Sequence, residues 1–167
     1  MPPFDRESMS VVDTVRIERF AADPVLESRV TYRGDLAEIL RSGIAQRGLA
    51  DVNAGIIAPY LRIYPKLQAV AQPQIENAVD DDALTLVQRF VIPGFWSFPE
   101  ERALRSESFN WAIFDALSAP KSESRRDPLG IPFPGIVRQR LVIEFPEDVY
   151  AQPGSQRYDE GSPSSYR

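Results

Sequence analysis

A chain of 167 residues with 43% hydrophobic, 10% aromatic and 26% charged side chains has the make-up of one soluble domain. At this length folding buries roughly 70% of the surface the unfolded chain exposes, so a core can form without staples or a structural metal. The absence of cysteine and histidine excludes disulfides, thiolate nucleophiles, Ser-His-Asp and Cys-His constellations and nearly every zinc site.

Nineteen basic against twenty-four acidic residues give a formal charge of −5, which argues against a nucleic-acid partner. Only Lys66 and Lys121 are lysines, and together with fifteen prolines this bias points to a G- and C-rich bacterial genome. No apolar run approaches the roughly 18 residues of a membrane span. Met1 to Arg6 has neither the basic nor the apolar region of an export signal. A cysteine-free chain suits cytoplasm, periplasm or cell envelope equally.

Residues 1–10 are polar and proline-bearing and are expected to be disordered, as is the Ser/Pro/Gly-rich tail 151–167; a single α+β domain is expected over 11–150. Val15 and Ile17 alternate with Arg16 and Glu18, and Val30 and Tyr32 alternate with Arg29, Thr31 and Arg33. This period of two predicts strands over 11–20 and 25–33, paired as a hairpin around Asp23-Pro24. At Gly34 the period becomes helical: Leu36, Ile39, Leu40 and Ile44 share a stripe, Asp35 is the expected cap, and Gly48 is a stop. Val52, Ile56, Tyr60, Ile63 and Leu67 form a second stripe with Asp51 as expected N-cap and Pro65 as terminator. Pro59 inside it predicts a kink or two short helices. Together 35–67 reads as an αα-hairpin.

Strand character returns over 84–92, where Leu84, Leu86, Phe90 and Ile92 share one face. A weak strand pattern covers 102–107 and a short helix 109–118, while Asp127 to Pro134 is too rich in proline for a helix. The clearest strand is 136–145, with Val137, Leu141, Ile143 and Phe145 inward and Arg138, Arg140 and Glu144 outward. The whole predicts an α+β fold, a mainly antiparallel β-sheet or sandwich packed against the αα-hairpin and a further short helix.

Few residues offer chemistry. Glu76 with Asp80, Asp81 and Asp82 lacks the alternation and central glycine of a calcium loop and reads as a turn before the 84–92 strand. Arg33-Gly34-Asp35 spells an adhesion motif but sits at a strand-to-helix junction. Phe95, Trp96 and Trp111 are the candidate ligand or interface residues, able to stack on a sugar or peptide if exposed and belonging to the core otherwise. The serines have no histidine to activate them, and the glycines are too scattered for a phosphate loop. No catalytic residue, cofactor or metal is expected.

Several stretches carry a resemblance in order and spacing: Arg29 to Gly34 with Leu36-Ala37 and Leu40-Arg41, Tyr60 to Pro65, Val79 to Asp82, Phe90 to Trp96, Arg126 to Pro134, and Val142 to Pro146. Across Val11 to Val149 the chain resembles the region C-terminal to the transglutaminase-like domain of bacterial proteins that also carry an N-terminal domain of unknown function. The family's catalytic Cys, His and Asp lie in the preceding domain. The resemblance therefore implies a non-catalytic accessory module that packs against, or presents substrate to, a transglutaminase-like (cysteine protease-like) domain in the parent protein or an adjacent subunit. A free-standing peptide- or glycan-binding module is the alternative, and would need an exposed aromatic patch at Trp96 or Trp111. The family pattern also implies strands beyond Val149, so the chain is expected to be a fragment or truncated gene product, with an open edge at 136–145 through which it would form a homodimer or aggregate, or which would leave it only marginally stable.

Overall fold

In a computed structural model, which describes residues 7–78, 82–100, 103–105, 110–116 and 136–148, the chain is an α+β fold built on one mixed sheet. Strands β1 (Glu7–Arg16) and β2 (Val25–Arg33) form an antiparallel hairpin, followed by α1 (Asp35–Arg47) and α2 (Leu49–Ile63). Short β3 (Gln68–Ala69) and β4 (Gln74–Ala78) precede β5 (Ala83–Val91). A separate hairpin of β6 (Ser97–Glu100) and β7 (Ala103–Arg105), helix α3 (Trp111–Ala116) and β8 (Ile136–Glu144) complete the described elements. The strand order is β3-β5-β2-β1-β8, with β4 sharing the outer edge of β5 with β3.

Register explains the core. Met9, Val11, Asp13 and Val15 of β1 stand opposite Tyr32, Val30, Ser28 and Leu26 of β2, which in turn oppose Leu84, Leu86, Gln88 and Phe90 of β5. Directly opposed residues point to the same side, so these three rows form one face. Val11, Val15, Leu26, Val30, Leu86 and Phe90 are buried there, and Tyr60 of α2 and Trp111 of α3 pack onto them. Each such side chain contributes roughly 1.5–3 kcal/mol on burial. The helices thus occupy the layer a second sheet would fill in a sandwich, and the other face carries Val12, Thr14, Arg16, Glu27, Arg29, Thr31, Thr85 and Arg89.

The structure departs from the sequence expectations at several points. Residues 7–10, expected to be disordered, begin β1, because Met9 and Ser10 pair with Tyr32 and Thr31 on one side while Ser8 Oγ donates to the Ile136 carbonyl at 3.2 Å on the other. Strand β1 ends at Arg16 rather than residue 20. Strand β8 runs parallel to β1, so the sheet is mixed; of the four residues expected inward, Val137 and Leu141 pack against the core, whereas Ile143 and Phe145 are exposed and Phe145 lies beyond the strand end, because the sheet stops at β8 and little covers its last residues. Helix α2 continues through Pro59 as one element. Neither expected aspartate is an N-cap: α1 starts after Gly34, whose φ of 57° is a conformation glycine adopts freely, and α2 after Gly48 at φ 84°. Asp35 and Asp51 lie instead in the first turns, where a carboxylate still complements the helix dipole. Within the weak strand pattern at 102–107 the described residues form β7, and within the helix expected at 109–118 they form α3; the remaining positions of both lie outside the described residues. The proline-rich stretch 127–134 and the tail 151–167 lie outside the described residues.

Candidate functional site

The helix-covered face contains a chain of polar side chains that joins three strands to two helices. Asp13 is central on β1, Ser28 stands opposite it on β2, and Gln139 lies one strand away on β8. From above, the Tyr60 hydroxyl of α2 donates to Asp13 Oδ1 at 2.7 Å and lies 2.7 Å from Ser28 Oγ. Gln139 Nε2 donates to Asp13 Oδ2 at 3.0 Å, and Gln139 Oε1 accepts from the Ala112 N–H of α3 at 3.0 Å.

With Asp13 ionised, proton inventory sets the direction of this chain. The Ala112 N–H can only donate, so Gln139 presents Oε1 to it and Nε2 to Asp13, which must accept through Oδ2. Tyr60 has one proton and gives it to the Asp13 carboxylate, so the serine hydroxyl donates to the Tyr60 oxygen. Burial raises the Asp13 pKa above its ordinary 3.8, opposed by the hydrogen bonds from Tyr60 and Gln139 and by the neighbouring Ser28 hydroxyl. Burial also drives the Tyr60 pKa strongly upward, aided by the negative charge of Asp13. A protonated Asp13 would also leave the chain satisfied: its own proton would go to Tyr60, and Tyr60 would donate to Ser28.

The Ser-Tyr-Asp grouping superficially resembles a proton relay, but Asp13 is 4%, Tyr60 2% and Ser28 0% exposed. Aromatic rings close it further, with Trp111 edge-on to Tyr60 at 5.4 Å and Phe90 stacked on it at 6.3 Å. The arrangement ties α2 and α3 to the sheet. Asp13 was not singled out as a sequence candidate, although extending the Val15–Ile17 alternation backwards places it on the inward row.

The candidate aromatic residues fall into the same covered layer. Phe95 and Trp111 are buried in the core, and half-buried Trp96 packs edge-on against Phe95 at 5.0 Å with its indole N–H donating to the Ala22 carbonyl at 2.9 Å. Glu76 lies in β4 and pairs with Arg29 at 2.6 Å, a contact that crosses β5. Asp80 and Asp81 lie outside the described residues, while Asp82 sits in the turn before β5 at φ 49°, 3.6 Å from Arg41. Arg41 also donates to Asn77 Oδ1 and to the Ala83 carbonyl, both at 3.1 Å, pinning α1 to the β4–β5 edge.

The opposite face of the sheet has a different chemistry. Charges are matched across strands: Arg16 with Glu144 at 2.8 Å, Arg89 with Glu27 at 2.8 Å, and Arg29 with Glu76. Thr31 and Thr85 share a hydrogen bond of 2.8 Å between opposed positions. Thr14, Arg16, Val25, Glu27, Arg89 and Glu144 line an open depression of about 320 Å³. Among the described residues no acidic cluster has metal-binding geometry, and no helix is long and apolar enough to cross a membrane. Comparison with protein-family profiles, curated proteins and solved structures finds no match to the chain.

Proposed function

We propose that this domain is a non-catalytic accessory module of a transglutaminase-like protein, docking the open face of its sheet on the catalytic domain. The observation that carries the reading is the division of the sheet. One face is filled by helices, while the other presents half-buried Val12, Thr14, Thr31 and Val142 among paired charges. Five strand positions at about 4.8 Å and nine residues at about 3.3 Å give a platform of about 700 Å². That falls within the roughly 600–1,500 Å² of contacts between domains, which tolerate this mixture of polar and apolar groups. The order of sequence stretches from Arg29 to Pro146 supplies the transglutaminase-like assignment.

Co-expression with a transglutaminase-like Cys/His/Asp domain encoded in the same or a neighbouring reading frame tests the proposal. The two should co-purify, and Val12→Lys with Val142→Lys should weaken association by about tenfold or more while leaving the circular dichroism spectrum unchanged. The isolated chain should form no product with amine donors and glutamine-bearing peptides. Cross-linking that survives repurification, or a catalytic domain indifferent to the open face, would overturn it.

A further inference from the structure

The geometry points to a second interaction surface, the outer edge of β8, and we infer that its partner is the β8 strand of another copy of this chain. It is separate from the open-face docking, since it uses the backbone edge rather than the platform. Among the described residues β8 pairs only with β1. The Glu144 carbonyl accepts from the Ile17 N–H on the β1 side at 2.8 Å. Strand alternation then turns the N–H and C=O groups of Gln139, Leu141 and Ile143 outward. Side chains next to this edge are under-covered, with Ile143 37% and Phe145 40% exposed, although Phe20 lies against Phe145 with ring centroids 6.2 Å apart.

The sequence of β8 is most self-complementary in one antiparallel register. With Leu141 facing Leu141 of the second copy, Gln139 meets Ile143 and Val137 meets Phe145, so outward backbone groups face outward backbone groups along the whole strand. On the open-face side, Arg138 meets Glu144 twice by symmetry, a two-fold arrangement in which each copy contributes the same patch. Sliding the register by two residues one way places Arg140 against Arg140; sliding it the other way also sets Arg140 against Glu144, but aligns Arg138 with Pro146 and shortens the ladder from seven pairs within β8 to five. Arg138 and Arg140 alone would repel a generic strand. Glu144 makes the edge selective for its own copy.

Sedimentation velocity of the isolated chain from about 1 to 100 µM tests this. A reversible dimer is expected. Arg138→Glu should raise the dimer dissociation constant by about tenfold, since two attractive cross-strand pairs become two repulsive ones. Glu144→Arg should do the same, and the double variant Arg138→Glu/Glu144→Arg should restore dimerisation. The intramolecular pairs of Arg138 with Glu7 and Arg16 with Glu144 are not restored in that variant, so rescue reports the contact between copies. A monomer at all concentrations, a dimer indifferent to the single substitutions, or failure of rescue would overturn the inference.

Discussion

The two faces of the sheet treat a carboxylate in opposite ways. On the covered face, Asp13 is held in a low-dielectric layer where burial disfavours its charge and the hydrogen bonds from Tyr60 and Gln139 partly compensate. On the open face, Glu27, Glu76 and Glu144 meet arginines across strands while remaining in contact with water. Surface pairs of this kind contribute about 0–1 kcal/mol each. Folding energy and positional specificity therefore concentrate under the helices, and the open face retains freedom to meet a partner.

The largest effects should come from the covered face. Leu86→Ala should lower unfolding free energy in urea by about 2–5 kcal/mol, because this residue is fully buried in the central rows. An effect no larger than that of open-face substitutions would break the comparison. Asp13→Ala should cost about 2–3 kcal/mol, since it leaves Gln139 Nε2 and one proton of the Tyr60–Ser28 pair without their acceptor. Alkaline titration probes the same layer: burial pushes the Tyr32 and Tyr64 hydroxyls up to about 12. The native state retains these protons after the unfolded chain has begun to lose them near pH 10, so stability should fall as pH rises from about 10 to 12. Unfolding followed by circular dichroism over that range checks the sign.

Smaller changes sharpen the contrast. Gln88→Leu should alter stability by less than about 1 kcal/mol despite burial, because removing Oε1, which has no hydrogen-bond partner among the described residues, offsets the loss of the Nε2 hydrogen bond to Asn53 Oδ1, and half-buried Asn53 can turn to water instead. Arg29→Gln should cost less than about 0.5 kcal/mol, and high salt should mask the difference.

Strands β2, β5 and β8 were legible because each alternates apolar and polar residues, and the switch at Gly34 marked the helical hairpin. The parallel pairing of β8 with β1 was not, because strand alternation fixes which side chains share a face but not the neighbour or its direction. Strand β4 was hidden for a related reason: Gln74, Glu76 and Ala78 are compatible with a loop until β5 supplies a ladder. Residues 7–10 read as a polar tail because their stabilisation comes from strands distant in sequence. At the site, Trp111 and Phe95 were visible as large aromatics, but only tertiary packing decides between core and platform. The Asp13 chain depends on α2 and α3 meeting β1, β2 and β8, information absent from any single segment.

The pH dependence of unfolding in wild type and Asp13→Asn tests most directly whether the covered face disfavours the Asp13 charge. Asparagine can turn its carbonyl to Gln139 Nε2 and its amide to the Tyr60 oxygen, reproducing the protonated acid, so the variant should lie within about 1 kcal/mol of wild type at pH 7. Because the folded Asp13 pKa lies above the unfolded value, the native state binds the proton more tightly, and wild type should gain stability relative to the variant as pH falls through the folded pKa towards about 4. Parallel profiles, or a wild type that loses ground to the variant on acidification, would contradict the account.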